Sequence, residues 1–503
     1  MRVPVVLLAA LACTACERAF PDTFLFGASI AGFQSDPGCP TLPAAECEDT
    51  RSDWYQFVTS QAQLQDLSSM VTFEPLAHGP GFWELYAQDF DRAKNELGLN
   101  AIRMSIEWSR IFPNATDGLE GAALAAAADA KAVAAYHAQF QALKARGLTP
   151  LVTLNHYTLP VWIHDGVACH QDLAGCTNRG WLDKARLHSE IVKYAGFVAK
   201  EFGAEVDLWA TLNEPFAVVL PGYLLPSSDR VNPPGLSLRI AEAKAVMVAM
   251  IEAHAKMYDA VKANDAGDLD GDGRASSIGI VYPIAPAKPK DPNSRVDQRA
   301  AENIFYLYNT AFLDGVIKGL VDADLDGKPD TAEPRADLVG RMDYLGLNYY
   351  TRITVKGLGS AAFPTLSPLT TFDPTDISPW EDYPQGIGEM EKYASEHYGL
   401  PVYVTETGTD GAADGEKIAS WLVRTLSATK KAIKEGADVR GFFVWSLTDN
   451  YEWNHGMAMR FGLYEVAADT AKTRTARSAV QAYADIIKAK DVPSALSSKY
   501  PAE

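Results

Sequence analysis

The sequence predicts an α/β chain folded as a single (β/α)8 TIM barrel with long loops after its strands. Eight short apolar runs recur along the chain, and amphipathic stretches with apolar residues at helical spacing separate them. No linker rich in Pro, Gly or Ser divides the pattern, and no segment repeats. The 503 residues would hold several average domains, but barrels routinely use such a length as one.

Taken in order, residues 1–16 read as an export signal. Arg2 is the only early charge, and residues 3–12 are an apolar run too short to span a bilayer. An alanine before Cys13 and another before Cys16 resemble a bacterial lipoprotein processing site, although Ala10 stands where that box usually has Leu. Plain cleavage and lipidation at Cys13 or Cys16 both follow, and a lipid would be the chain's one link to a membrane. The barrel domain is expected over 20–490, with a tail at 491–503. Its strands are expected at 24–28, 101–105, 150–154, 206–212, 278–282, 344–348, 402–405 and 441–446. The clearest helices between them cover 181–202, 237–263 and 418–435.

Hydrophobic residues make up 47% and charged residues 22%, enough apolar content for a core that can support a deep pocket. The formal charge of −19 argues against nucleic acid and anionic headgroups as partners, leaves a neutral ligand unaffected and leaves room for cations. Cys39 and Cys47, and Cys169 and Cys176, each flank a short polar loop, which in an exported protein suggests two local disulfides. Zinc is the rival, but no C-x-x-C spacing supports it, and four buried thiols are the plainer alternative.

Two glutamates carry the chemistry. Glu214 ends the run Leu208-Trp209-Ala210-Thr211-Leu212-Asn213-Glu214, and Glu406 ends Pro401-Val402-Tyr403-Val404-Thr405-Glu406. They follow the fourth and seventh strands, so in a barrel both reach the C-terminal rim, nearly across the mouth from one another. Cleavage of a glycosidic bond uses such a pair: one carboxyl protonates the leaving oxygen, and the other attacks the anomeric carbon or activates water. Each could instead cap the next helix or pair with an arginine.

The flanking residues decide between these. Thr211-Leu212-Asn213-Glu214-Pro215, Val404-Thr405-Glu406-Thr407-Gly408 and Trp445-Ser446-Leu447-Thr448-Asp449-Asn450-Tyr451-Glu452-Trp453 resemble signatures of the family-one glycoside hydrolases, the β-glucosidase and β-galactosidase family. So do Phe26-Gly27-Ala28, Arg103, Ser109-Arg110-Ile111-Phe112-Pro113, Asn348-Tyr349-Tyr350 and Arg460-Phe461-Gly462-Leu463. Asn155-His156-Tyr157 and Ile163-His164-Asp165 are most similar to the archaeal-type branch, and the likeness covers residues 21–487.

The resemblance implies a retaining exo-β-glycosidase with no catalytic cofactor and a β-glycoside or oligosaccharide as substrate. Glu214 would be acid and then base, Glu406 the nucleophile, and Arg103 and Tyr350 its supports. Asn213 would hold the 2-hydroxyl of the sugar. Gln34, His156, Tyr157, Asn348, Glu452, Trp453 and Phe461 would line the sugar site over an apolar floor, Trp445. Family members that accept 6-phosphorylated sugars lack the Glu-Trp pair, so Glu452 implies an unphosphorylated sugar. Thr407 departs from the usual Asn, which puts loop geometry beside Glu406 in question, and Tyr157 stands where Trp is commoner, keeping a ring and adding a polar tip. Transglycosylation would use the same residues. A non-catalytic sugar-binding lipoprotein would be expected to have lost one of the glutamates.

Two acidic runs fall outside the resemblance. Asp268, Asp270 and Asp272, and Asp322, Asp324 and Asp326, both form D-x-D-x-D-G, the front half of an EF-hand-type loop. In the second run Asp330 and Glu333 occupy positions 9 and 12, suggesting structural Ca2+; in the first, position 12 is Gly279. Solvated acidic turns are the alternative. Each run precedes a strand, the fifth and the sixth, and both are expected on the N-terminal face of the barrel.

Overall fold

Eight parallel strands close into a barrel in chain order: β1 (Leu25–Ser29), β2 (Ala101–Ser105), β3 (Thr149–Asn155), β4 (Leu208–Asn213), β5 (Ser277–Pro283), β6 (Tyr344–Tyr349), β7 (Val402–Thr407) and β8 (Val439–Trp445). β8 pairs with β1 from Leu25 against Gly441 to Ser29 against Trp445, which closes the ring. The computed structural model describes residues 19–72, 74–358, 371–378, 380–411 and 414–502. Cys13, Cys16 and the expected export signal lie outside them. All eight strands begin and end within two residues of the expected positions, because strands covered on both faces are dominated by apolar residues and stand out from the polar loops around them.

Inward-facing side chains alternate along each strand and change character with height. Ala101, Leu151, Leu208, Ala210, Val281 and Phe443 fill the N-terminal half of the barrel. Gly27 makes room for Phe443, whose ring would lie 2.3 Å from any Cβ placed there. Two residues beyond Ala101 and Leu151, buried Arg103 and Thr153 replace carbon with polar atoms, so the barrel is oily below and polar above.

Helices Lys184–Phe202, Ile240–Asn264 and Glu416–Lys434 lie within a few residues of the expected positions. The first loses its opening turn to the 3-10 turn Gly180–Leu182. Beyond β5 and β6, three short strands, Ala287–Pro289, Ile353–Gly357 and Phe372–Ser378, form a separate sheet. Within the 491–503 segment, helix Ser494–Lys499 docks on Glu416–Lys434, with Tyr500 Oη donating to Glu416 Oε2 at 2.7 Å. Among the described residues no helix is long and apolar enough to cross a membrane.

Disulfides join Cys39 to Cys47 and Cys169 to Cys176. The first acidic run sits at the N-terminal end of β4, where Leu269 N and Asp270 N donate to the Asp207 carboxylate at 3.0 and 2.6 Å. Its carboxylate cluster is Asp207, Asp268 and Asp270, and does not include Asp272. The second run departs from the expected face. The Asp324 carbonyl accepts from Lys244 near the start of helix Ile240–Asn264, and Arg335 and Arg341 pair with Glu252 and Asp259 further down that helix. The run is therefore strapped along the outer flank of the barrel, because these ion pairs lead the chain up and back beside the helix. Asp322, Asp324 and Asp326 cluster there. Asp330 turns aside to cap Ala323 N, and Glu333 is not in the cluster.

Candidate active site

The C-terminal ends of β2, β3, β4, β6, β7 and β8 deliver the motif residues into one buried group. Glu406, at 4% exposure, receives the Arg103 guanidinium on Oε1 and Tyr350 Oη on Oε2 at 2.7 Å. Arg103 is itself aimed by Thr153 Oγ1 at 3.1 Å and Asn213 Oδ1 at 2.7 Å. Burial raises the Glu406 carboxyl above its ordinary range, Arg103 pulls it back, and the nearby Glu214 charge raises it again.

Glu214 receives Asn348 Nδ2 on Oε1 at 2.8 Å and the Tyr157 hydroxyl on Oε2. Asn348 is fixed in turn by Thr405 Oγ1 at 2.7 Å, so one strand end orients the other. The two carboxylates thus keep different company: a cation and a phenol at Glu406, an amide and a phenol at Glu214. Glu214 has φ +44°, Tyr157 φ +69° and Trp453 φ +51°, a left-handed backbone that costs a side-chain-bearing residue about 1 kcal/mol or more. Such strain persists only where surrounding contacts over-determine it, and here three instances fall in one site.

The loop after β8 forms the opposite wall. Arg477 grips Asp449 with two bonds of 2.8 and 2.7 Å, and Tyr451 N donates to Gln34 O at 2.8 Å. This pins Glu452 against Gln34, whose Nε2 donates to Glu452 Oε2 at 3.0 Å. Burial pushes the Glu452 carboxyl up to about 7 although Arg230 opposes it. His156 lies between Trp445 and Trp453, near parallel to both at 6.0 and 5.9 Å, and Asn213 Nδ2 approaches its Nε2 at 3.3 Å. Burial, aided by Arg103 and Arg230, holds its imidazole neutral. Trp445 packs with Ala31 and Phe461, and Phe461 meets the Tyr350 ring edge-on at 6.3 Å.

Gln34 Oε1 and His156 Nδ1 are buried with no partner among the described residues. An unpaired polar atom inside a protein costs about 1–3 kcal/mol, and in a polar cleft the natural remedy is a ligand hydroxyl. With tryptophan faces beside them, the walls suit a ring that is apolar on its faces and hydroxylated at its edge.

Every site residue expected from the strand-end motifs is in this group. Two others were not expected. Arg230 lies 3.7 Å from Glu452 and over the Tyr157 and Trp453 rings, and Trp380, 58% exposed, stacks on Tyr350 at 5.9 Å. Both come from loops without hydrophobic period, so nothing in their local sequence marks them.

The glycosyl hydrolase family 1 model matches residues 16–492. A β-galactosidase of Pyrococcus woesei is 34% identical, over 93% of this chain and 97% of its own length. A β-galactosidase of Saccharolobus solfataricus is 32% identical over 90% and 92%. Among solved structures, the β-glycosidase of Thermosphaera aggregans superposes with a TM-score of 0.80 at 28% identity, covering 96% of this chain and all of that one. A β-glucosidase of Pyrococcus furiosus gives 0.78 at 31% identity, over 96% and 98%. The fold, the site and these likenesses agree: this chain belongs to glycosyl hydrolase family 1, and it is a retaining β-glycosidase similar to the family's archaeal members.

Proposed function

We propose that the enzyme removes a terminal, unphosphorylated β-linked sugar by double displacement, with Glu406 as nucleophile and Glu214 as acid and then base. The observation that carries this assignment is the difference in partners: Arg103 and Tyr350 clasp Glu406, whereas among the described residues Glu214 accepts from neutral donors, Tyr157 and Asn348. A carboxylate beside a guanidinium is kept charged for attack on the anomeric carbon. Glu214 protonates the departing oxygen; once Glu406 is esterified its charge is gone, and Glu214 takes the proton of the incoming water. Asn213, held by Arg103, is placed for the sugar 2-hydroxyl, while Gln34, His156, Glu452 and Trp453 take the remaining hydroxyls over Trp445.

In Glu406→Ala, turnover of nitrophenyl β-glycosides is expected to fall at least ~10⁴-fold. Azide should then restore part of it by entering from the vacated side, giving an α-glycosyl azide. A variant retaining wild-type turnover would reject the nucleophile assignment.

Export is part of the same proposal, supported by the apolar N-terminal run and by two disulfides of the kind that persist outside the cytosol. Structural Ca2+ in the second acidic run is proposed at Asp322, Asp324 and Asp326 alone. Calorimetric titration after chelation is expected to show heat and a raised melting temperature; the absence of both would dispose of it.

A further inference from the structure

Arg230 has no task in that mechanism, yet its loop is fastened to the wall that carries Glu452 and Trp453. Asn454 Nδ2 donates to Ser228 O at 3.0 Å, Val231 N donates to Asn454 Oδ1 at 3.4 Å, and His455 Nε2 lies 2.8 Å from Asp229 O. Asn454 and His455 directly follow Glu452 and Trp453 in the chain, so the arginine and the wall are placed together. Among the described residues, every close side-chain partner of the guanidinium belongs to the sugar site. Its carbon lies 5.3 Å from the Tyr157 ring centre and 5.6 Å from that of Trp453, within cation–π range of both, and Nη1 stands 3.7 Å from Glu452 Oε1.

This is not the geometry of an ion pair that serves the fold. Such a pair closes to roughly 2.7–2.9 Å, whereas here the gap is too long for a hydrogen bond. The fork of N–H donors stays unspent, since among the described residues the guanidinium donates no hydrogen bond. Its side chain is 30% exposed, so a bound molecule can reach those donors. Burial works against the charge of Arg230, and the oxygens of Tyr157, Glu452 and Glu214 more than restore it, so the donor stays cationic.

The open gap has a chemistry of its own. Glu452 accepts and Arg230 donates, and a neutral hydroxyl does both: its proton goes to the carboxylate while a lone pair takes a guanidinium N–H. Two polar atoms 3.7 Å apart are close enough for one hydroxyl oxygen to lie ~2.8 Å from each. An anionic group in the same place would gain the arginine and be repelled by the glutamate, so the pair favours an uncharged one. We infer that Arg230 is a specificity residue of the sugar site, donating to the sugar hydroxyl that Glu452 accepts from, and that it selects sugars bearing this hydroxyl over their deoxy counterparts. A hydroxyl held between two ions makes charge-assisted bonds at both ends, and its loss leaves both ions unsatisfied.

The inference rests on the glycosidase reading, which turns Glu452 toward the sugar, and the experiment separates the two. The faster substrate of nitrophenyl β-glucoside and β-galactoside would be compared with its 3-, 4- and 6-deoxy analogues, the 2-hydroxyl being assigned to Asn213. Each would be assayed with wild type, Arg230→Gln and Arg230→Lys. On the parent glycoside Arg230→Gln is expected to cost about tenfold or more in kcat/KM. On one analogue, the one lacking the shared hydroxyl, it should cost almost nothing further, whereas on the other two the losses should multiply. Arg230→Lys, which keeps the charge, should keep part of the discrimination. Each comparison is a ratio within one preparation, so a partly folded variant does not distort it. A cost of Arg230→Gln that is absent, or equal on the parent and all three analogues, overturns the inference while leaving the glycosidase reading standing. Collapse of both variants would assign Arg230 to the fold and overturn the inference too. No turnover of any β-glycoside by wild type overturns both.

Discussion

Tyr157 shows how one departure from the family pattern acts. Its ring packs on Trp453 at 4.9 Å, as a larger aromatic would, but its hydroxyl also reaches the Glu214 carboxylate. On the proposed assignment, that bond would orient the acid toward the leaving oxygen. Tyr157→Phe keeps the packing and deletes the bond, so kcat is expected to fall about tenfold for glycosides with poor leaving groups, which need the proton, and little for dinitrophenyl glycosides, which do not. Equal losses on both would show that Tyr157 only supports the fold. Thr407, the other departure, accepts from Trp421 Nε1 at 3.0 Å and so ties the end of β7 to the helix behind it. The change from Asn leaves the strand end anchored, and Glu406 keeps its two supports.

Between elements, the buried carboxyl of Glu391 is a built-in weakness. Helix Gly386–Tyr398 presses it against helix Glu416–Lys434, where it is fully buried. Thr429 Oγ1 donates to Oε1 at 2.6 Å, and Oε2 has no partner among the described residues. Burial alone pushes this carboxyl from 4.5 up to about 8. A carboxyl raised on folding holds its proton more tightly in the native state. Its contribution is complete below pH ~4.5 and is lost as pH rises toward 8, where the native state must bury a charge. Glu391→Gln removes that loss. The unfolding free energy of the variant should match wild type near pH 4 and exceed it at pH 9, by a difference on the order of a few kcal/mol, with the melting temperature rising in step. A gap that does not change with pH would show that Glu391 carries no such penalty. Barrel strands such as β2 and β4 were legible because they are buried along their whole length and read as mostly apolar runs, with Arg103, Ser105, Thr211 and Asn213 as their polar members. The flank position of Asp322–Asp326 was not legible, because distant ion pairs such as Arg335–Glu252 decide it.

At the scale of the whole molecule, the barrel brings two carboxyl groups from distant parts of the chain into one site. Glu214 and Glu406 leave β4 and β7, with β5 and β6 between them, and Asn213, Arg103 and Asn348 bridge the gap. These residues were legible because each lies on or just beyond a strand, where sequence neighbours remain spatial neighbours. Arg230 enters from a loop whose path is set by contacts more than two hundred residues away, at Asn454, and no local pattern encodes that. The central claim is that this architecture makes Glu406 a covalent carrier of the sugar. It is tested most directly with a 2-deoxy-2-fluoro β-glycoside bearing a good leaving group, which slows release of the intermediate more than its formation. Mass spectrometry of the inactivated enzyme should then show one added sugar, on the peptide containing Glu406 and at that residue. A sugar attached elsewhere, or steady turnover with no adduct, would contradict the account.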